Sequence, residues 1–182
     1  IVTIDEANNA GQYGGVTGTA TNSTIASVMS NLKVDANKGH VGGLVGLAKN
    51  TTIKYSSNNG PINTTNTGTR NSIYTGGIVG YLNNSSYVEY CYNTSSVTSG
   101  YVITSASASN YAGGIAGRSD NSTIDYCYNS GLVKAGNKQC TTAQYAGGIV
   151  GYSNGGTVSN SLNEAAVEAI ATNSEFKIRT NS

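Results

Sequence analysis

Five paired glycines recur down this chain, beginning at Gly14, Gly42, Gly76, Gly113 and Gly147, at spacings of 28, 34, 37 and 34 residues. Each pair is followed eleven residues later, or twelve in the third copy, by a β-branched residue: Ile25, Ile53, Val88, Ile124 and Val158. Nine residues further stands another, at Val34, Ile62, Val97, Val133 and Val167, and this interval never varies. Between the two, Asn58, Asn93, Asn129 and Asn163 share one column, which Ser30 fills in the first copy. Columns in register through five copies define a repeat architecture, in which each unit buries its apolar face only by stacking on its neighbours.

Residue chemistry decides what kind of repeat this is. A period near 34 also suits stacked helix pairs, but glycine inside a helix costs about 1 kcal/mol relative to alanine, and Asn, Thr and Ser are weak helix formers. Short runs of Val, Ile, Tyr and Thr bounded by Gly and Asn are strand signals. Three such runs fall in each repeat, as in Gly-Ile-Val-Gly-Tyr (148–152), Thr-Ile-Asp-Tyr-Cys-Tyr (123–128) and Leu-Val-Lys (132–134). The expected fold is therefore all-β: one parallel β-solenoid domain over residues 1–182, about five coils, three short strands per coil. The repeats run approximately 14–41, 42–75, 76–112, 113–146 and 147–182, with 1–13 as the end of a preceding coil. Ile and Val stack on themselves inside, at ~4.8 Å per coil. Glycine allows tight turns or close approach of coils, and asparagine suits a left-handed corner or a stacked amide ladder.

Composition narrows the function. Charged residues are 10% of the chain and the formal net charge is +1, which excludes a basic nucleic-acid surface or an acidic tail. No stretch approaches the ~20 apolar residues of a membrane helix, so no membrane span is expected. Three cysteines close no disulfide framework by counting. The chain begins with Ile, and "IVTID" reads as the last strand of a missing coil, as in a processed form or an excerpt of something longer.

The segments GLVG (43–46), GIVG (77–80), GIAG (114–117) and GIVG (148–151), with CYN at 91–93 and 127–129, resemble the GLUG motif. The first copy, GVTG (15–18), departs by placing Thr where an apolar residue is usual, and the second copy has Ser56 and Ser57 in place of the Cys-Tyr pair. The resemblance implies a bacterial surface adhesin-like protein, hence an extracellular or cell-surface location. The same motif occurs in the non-catalytic part of immunoglobulin-A-cleaving peptidases. It carries no catalytic residues and no cofactor. Two readings follow: a structural or adhesive module that assembles head-to-tail into a fibre, or an accessory substrate- or glycan-binding region of a secreted peptidase. Neither is an enzyme.

Candidate site residues are few. Cys91 and Cys127 share a column of adjacent coils, within disulfide reach if stacked; the alternative is a buried ladder of small side chains, because Val28, Ser56 and Ser161 fill the same column. Cys140, in a variable loop, has no columnar partner. His40, the one histidine, falls in the column of Tyr74, Tyr111 and Tyr145 and reads as a shelf residue. Glu89 and Asp125 share an outward column beside Lys54, either a Ca²⁺-holding pair or a solvated acidic pair. Tyrosines form stripes: Tyr74, Tyr111 and Tyr145; Tyr55, Tyr90 and Tyr126; and Tyr81 with Tyr152 in a column shared by Arg118 and Leu47. Tyr74, Tyr111, Tyr145, Tyr81 and Tyr152 are the candidates for facing a protein or glycan ligand, against ordinary cross-strand packing. Seven Asn-x-Ser/Thr sequons start at Asn22, Asn50, Asn63, Asn83, Asn84, Asn93 and Asn121. For assembly, Ile1, Val2 and Ile4 at one end and Phe176 and Ile178 at the other are the candidate joint, which self-association or covalent neighbouring repeats would fill, although the alternation that puts Phe176 and Ile178 on one face equally suits a cap over the last coil.

Overall fold

Runs too short for a helix and too regular for a loop become strands that pair with their counterparts one coil away. The computed structural model describes residues 2–4, 11–66, 72–103, 109–137 and 139–171. Among them every regular element is a β-strand, and the strands pair in parallel. The chain is a parallel β-solenoid. No helix among the described residues is long and apolar enough to cross a membrane.

Each coil contributes to four sheets. The glycine sheet has five strands: Gln12–Gly14, His40–Gly42, Ile73–Gly76, Asn110–Gly113 and Gln144–Gly147. The long sheet follows the glycine pair and includes Val45–Lys49, Thr52–Lys54, Val79–Asn83, Tyr87–Glu89, Ala116–Asp125 and Val150–Ser159. The asparagine sheet again has five strands, Met29–Ser30, Ser57–Asn58, Tyr92–Asn93, Tyr128–Asn129 and Leu162–Asn163. The closing sheet has six, from Val2–Ile4 through Val34–Ala36, Ile62–Asn66, Val97–Ile103 and Val133–Gly136 to Val167–Ile170. The expectation of three strands per coil is therefore corrected. The run Thr-Ile-Asp-Tyr-Cys-Tyr bends at Tyr126, whose φ of 47° ends one strand and lets the chain begin the asparagine sheet at Tyr128.

The two expected apolar files are present and in register. Ile25 pairs with Ile53, Ile53 with Val88, Val88 with Ile124 and Ile124 with Val158. Val34, Ile62, Val97, Val133 and Val167 pair in the same way along the closing sheet. Ile53, Val88 and Ile124 are fully buried; Ile25 is only partly so, and Val158, on the last described coil, is 45% exposed. A further file lies directly after the glycine pairs. Leu44, Ile78 and Ile115 are fully buried with Ile149 below them, beside Val45, Val79, Ala116 and Val150. Between the closing and glycine sheets, apolar clusters of Val34, Val41 and Ile62 and of Val97, Ala112, Val133 and Ala146 flank a polar contact in which Thr64 Oγ1 lies 3.1 Å from Thr75 Oγ1, which donates to Ser99 Oγ at 3.0 Å.

The asparagine column explains the glycine column. Asn58, Asn93 and Asn129 are fully buried. Asn58 Nδ2 donates to Asn93 Oδ1 at 2.9 Å, Asn93 to Asn129 at 2.8 Å, and Asn129 to Asn163 at 2.7 Å. The second amide proton goes to the carbonyl two residues on, at Gly60, Ser95, Gly131 and Ala165. Each buried amide thus spends both protons within the fold, which is what makes its burial tolerable. The ladder sits against the second glycine of each pair. A Cβ on Gly43, Gly77, Gly114 or Gly148 would overlap Cγ of Asn58, Asn93, Asn129 or Asn163 respectively. The Gly-Gly pair is therefore the recess that receives the amide.

Replacing Asn93 by Ala removes the central rung, leaves one Asn58 amide proton buried without a partner, takes the Asn93 donor from the Ser95 carbonyl, and leaves Asn129 Oδ1 with only the N–H of Gly131 at 3.3 Å. Each such group costs ~1–3 kcal/mol, so a total loss of about 3 kcal/mol is expected from urea denaturation. Asn31→Ala, which breaks a bond between exposed amides of Asn59 and Asn31, should cost less than about 0.5 kcal/mol.

Candidate functional site

Two corners per coil set which side chains face outward. At the first, Asn22, Asn50, Asn84 and Asn121 adopt φ of 46–55°, the left-handed region that asparagine enters at low cost. A hydroxyl follows each bend. Ser23, Thr51, Ser86 and Ser122 donate to the carbonyls of Thr21, Lys49, Asn83 and Asp120. Thr51, Ser86 and Ser122 also accept the backbone N–H of the equivalent residue in the coil before. An asparagine that bends, followed by small hydroxyl residues that lock the bend, is also the sequence of a sequon. Four of the seven thus mark this corner, while Asn93 is buried in the amide ladder.

The second corner repeats the device with sulfur. Ser56 and Ser161 donate to Lys54 and Ser159 carbonyls at 2.7 Å, and in the intervening coils the thiols of Cys91 and Cys127 donate to Glu89 and Asp125 carbonyls at 3.3 Å. Both thiols are free and buried, and burial pushes their pKa up to about 11 and about 12. This is the ladder of small side chains: a disulfide would remove both donors from carbonyls that the corner needs paired. Cys140 is also free and buried; its Sγ accepts from the N–H of Asn137 at 3.1 Å.

The tyrosines that were candidates for facing a ligand pack against one another, half-buried, in the manner of the cross-strand alternative. His40, Tyr74, Tyr111 and Tyr145 stand in one column, as expected. His40 stacks on Tyr74 (5.0 Å between ring centres) and Tyr111 on Tyr145 (4.6 Å). Tyr81 packs edge-on against His40 and Tyr74, and Tyr152 against Tyr111 and Tyr145. Arg118 lies between, its guanidinium 5.3–5.4 Å from the ring centres of Tyr74, Tyr81 and Tyr152. It donates to Tyr74 Oη at 2.9 Å and to both oxygens of Asp120 at 2.9 and 2.8 Å, and Tyr81 Oη donates to Asp120 Oδ2 at 2.6 Å. Burial and that bond to Asp120 push the Tyr81 pKa up to about 12. The half-buried wall holds four coils together. Within it His40 is neutral: burial, then the charges of Arg118 and Lys49, lower its pKa to about 4.

The other ladder faces water. Tyr55, Tyr90 and Tyr126 are 56%, 45% and 51% exposed, with ring centres 5.3 and 5.0 Å apart and planes within 15° and 6° of parallel. They occupy the bend itself, with φ of 50°, 50° and 47°, where the first and last coils place Ser27 and Asn160. The left-handed conformation costs a side-chain-bearing residue ~1–2 kcal/mol, and stacking returns ~0.5–1.5 kcal/mol per pair. Three strained residues share two stacked pairs, so the stack at best breaks even. Lys54, Glu89 and Asp125 flank it in one column, Lys54 5.8 Å over the Tyr55 ring. Asp125 Oδ1 already accepts from Ser159 Oγ and Asn160 Nδ2 at 2.9 Å, which binds it into the fold. No group of three His, Cys, Asp or Glu side chains is placed to hold a metal among the described residues.

Of the residues expected at an assembly joint, Val2 and Ile4 lie in the strand that pairs with Val34–Ala36. Ile1, Phe176 and Ile178 lie outside the described residues. Residues 108–134 match the family model described as the GLUG motif, and the same columns recur in register in the other coils. No curated protein and no solved structure matches the chain.

The neutral His40 makes stability depend on pH. Its native pKa lies near 4 and its unfolded pKa near 6.5, so between these values the unfolded chain takes up a proton that the native chain refuses. Its contribution is complete above about pH 6.5 and falls away as pH drops toward 4. His40→Tyr, which copies the next coil, should lose about 2 kcal/mol less than the parent between pH 7 and pH 4.5, measured by urea midpoints.

Proposed function

On the premise that the chain is a repeat protein built on the GLUG motif, we propose that it is a non-catalytic structural and adhesive module of an extracellular or cell-surface protein, propagated by head-to-tail stacking of coils. The observation that carries this reading is the likeness of the two ends of the described stack. On the first coil Val16 and Met29 are 47% and 60% exposed; on the last, Val158 and Leu162 are 45% and 54% exposed. Met29 and Leu162 belong to one column, as do Ile25 and Val158. A concavity at the last coil is lined by Ile149, Val150, Val158 and Ser161. A coil laid on either end, from the same chain or another copy, meets the columns it already carries. Such a contact is heterologous and propagates instead of closing as a dimer.

The reactive groups favour a scaffold over an enzyme. The one imidazole is locked among tyrosines, and the thiols of Cys91 and Cys127 are buried and neutral. Incubation with pectin, chitin, mucin glycans and casein should release no product above buffer, and turnover abolished by changing His40 or Glu89 would overturn this. Stacking is tested by Val158→Lys, which places a charge in the apolar end column. Light scattering over a concentration series should show large assemblies for the parent and smaller mass for the variant, with Tm unchanged within a few degrees. Monomers at every concentration in both proteins would contradict the proposal.

A further inference from the structure

Among the described residues, the exposed tyrosine ladder is where bulky side chains stand in the left-handed region of the backbone. Tyr55, Tyr90 and Tyr126 each adopt a φ near +50° that Ser27 and Asn160 fill elsewhere in the column. The half-buried tyrosine wall links sheets through Arg118, whereas this ladder covers nothing and leaves about half of every ring in water. A bulky residue placed three times at a left-handed corner points to use of the ring itself.

The geometry restricts what the ladder can bind. Stacked rings hide their faces in each other, at 5.3 and 5.0 Å between centres, so a flat ligand cannot lie on the middle ring. What faces water is a ridge of ring edges and phenolic hydroxyls, one per coil, each able to donate and to accept. Beside it runs a second row, in register, where Tyr92 is exposed and the Tyr128 hydroxyl donates to Glu164 Oε2 at 2.7 Å, while Ser57 is buried. The flanking charges, Lys54, Glu89 and Asp125, are of mixed sign and favour no polyanion. A partner must therefore be uncharged, rich in hydroxyls, straight, and periodic at the coil rise of ~4.8 Å. An extended β-1,4-linked pyranose chain advances by nearly that length per sugar and carries hydroxyls along both edges. We infer that the Tyr55–Tyr90–Tyr126 ridge binds an uncharged β-1,4-linked polysaccharide lying along the solenoid axis, one sugar to one coil. A curled α-1,4 chain of the same sugars falls out of step.

Calorimetric titration of the protein with cellodextrins and chitooligosaccharides of two to six sugars tests this, with maltohexaose as the control. Saturable binding of at least one β-linked series is expected, strengthening from two to three sugars and then levelling, because three rings span three coils. Maltohexaose should bind at least tenfold more weakly. Tyr90→Ala should weaken binding at least tenfold. Tyr90→Asn should do the same with Tm changed by no more than a few degrees, since asparagine relieves one strained corner while both stacked pairs are lost. Tyr87→Ala, an exposed tyrosine outside the ridge, should change affinity less than twofold. No binding of either β-linked series, equal affinity for maltohexaose, or affinity unmoved by both Tyr90 variants would overturn the assignment. None of these outcomes bears on head-to-tail stacking, which is read from assembly mass.

Discussion

The buried file of asparagine amides is the interaction on which the rest of the solenoid depends. Backbone pairing between parallel strands fixes the rise of a coil but is indifferent to sliding by one residue. An amide that must donate both protons is not indifferent. Asn93 keeps one proton on the Ser95 carbonyl of its own coil and sends the other to Asn129 Oδ1 of the next, and a slip in register leaves that second proton buried and unpaired. The amide also needs room, which the second glycine of each pair supplies. Asparagine and glycine are therefore one device written at two places in the repeat. The fully buried residues Leu44, Ile78 and Ile115, next to that recess, pack where the device puts them.

Around this fixed interior the corners are free to differ in what they display. Both use a left-handed residue followed by a hydroxyl or thiol that caps the bend, which is why Ser56, Cys91, Cys127 and Ser161 are interchangeable in one column. The same periodicity yields two tyrosine ladders with opposite fates. One is drawn into a half-buried wall with His40, Arg118 and Asp120, where the Arg118 guanidinium bonds Tyr74 and Asp120 and Asp120 bonds Tyr81. The other stands on a strained corner in water. The first holds coils together; the second is a surface with a period, and a periodic surface selects periodic partners, whether polysaccharide chains or further coils.

Much of this was legible in the sequence because a solenoid writes its registers as columns. The fold, the two β-branched files, the amide column and the place of His40 among tyrosines follow from the spacing alone. What did not follow was orientation. The bend at Tyr55, Tyr90 and Tyr126 divides what reads as one strand, because tyrosine gives no turn signal; the hint lay in Ser27 and Asn160 of the same column. For Tyr74, Tyr111, Tyr145, Tyr81 and Tyr152 the columns leave open a ligand-facing surface or cross-strand packing; Arg118 in the column of Tyr81 and Tyr152 gathers them into a packed cluster, a consequence of contacts between coils that no single repeat reveals. The role of cysteine as a stand-in for serine was available only as one of two alternatives, since the column fixes adjacency and not the direction of the thiol.

Hydrogen exchange of the side-chain amides tests the central claim most directly. In a nitrogen-15 spectrum of the native protein, the Nδ2 protons of Asn58, Asn93 and Asn129 should exchange with solvent as slowly as the most protected backbone amides, through global unfolding alone. Those of the exposed Asn22 and Asn50 should exchange within the dead time. If the Asn58, Asn93 and Asn129 amides exchange as fast as these corner residues, the buried ladder does not exist, and the pairing of asparagine with glycine cannot be what sets the register of the coils.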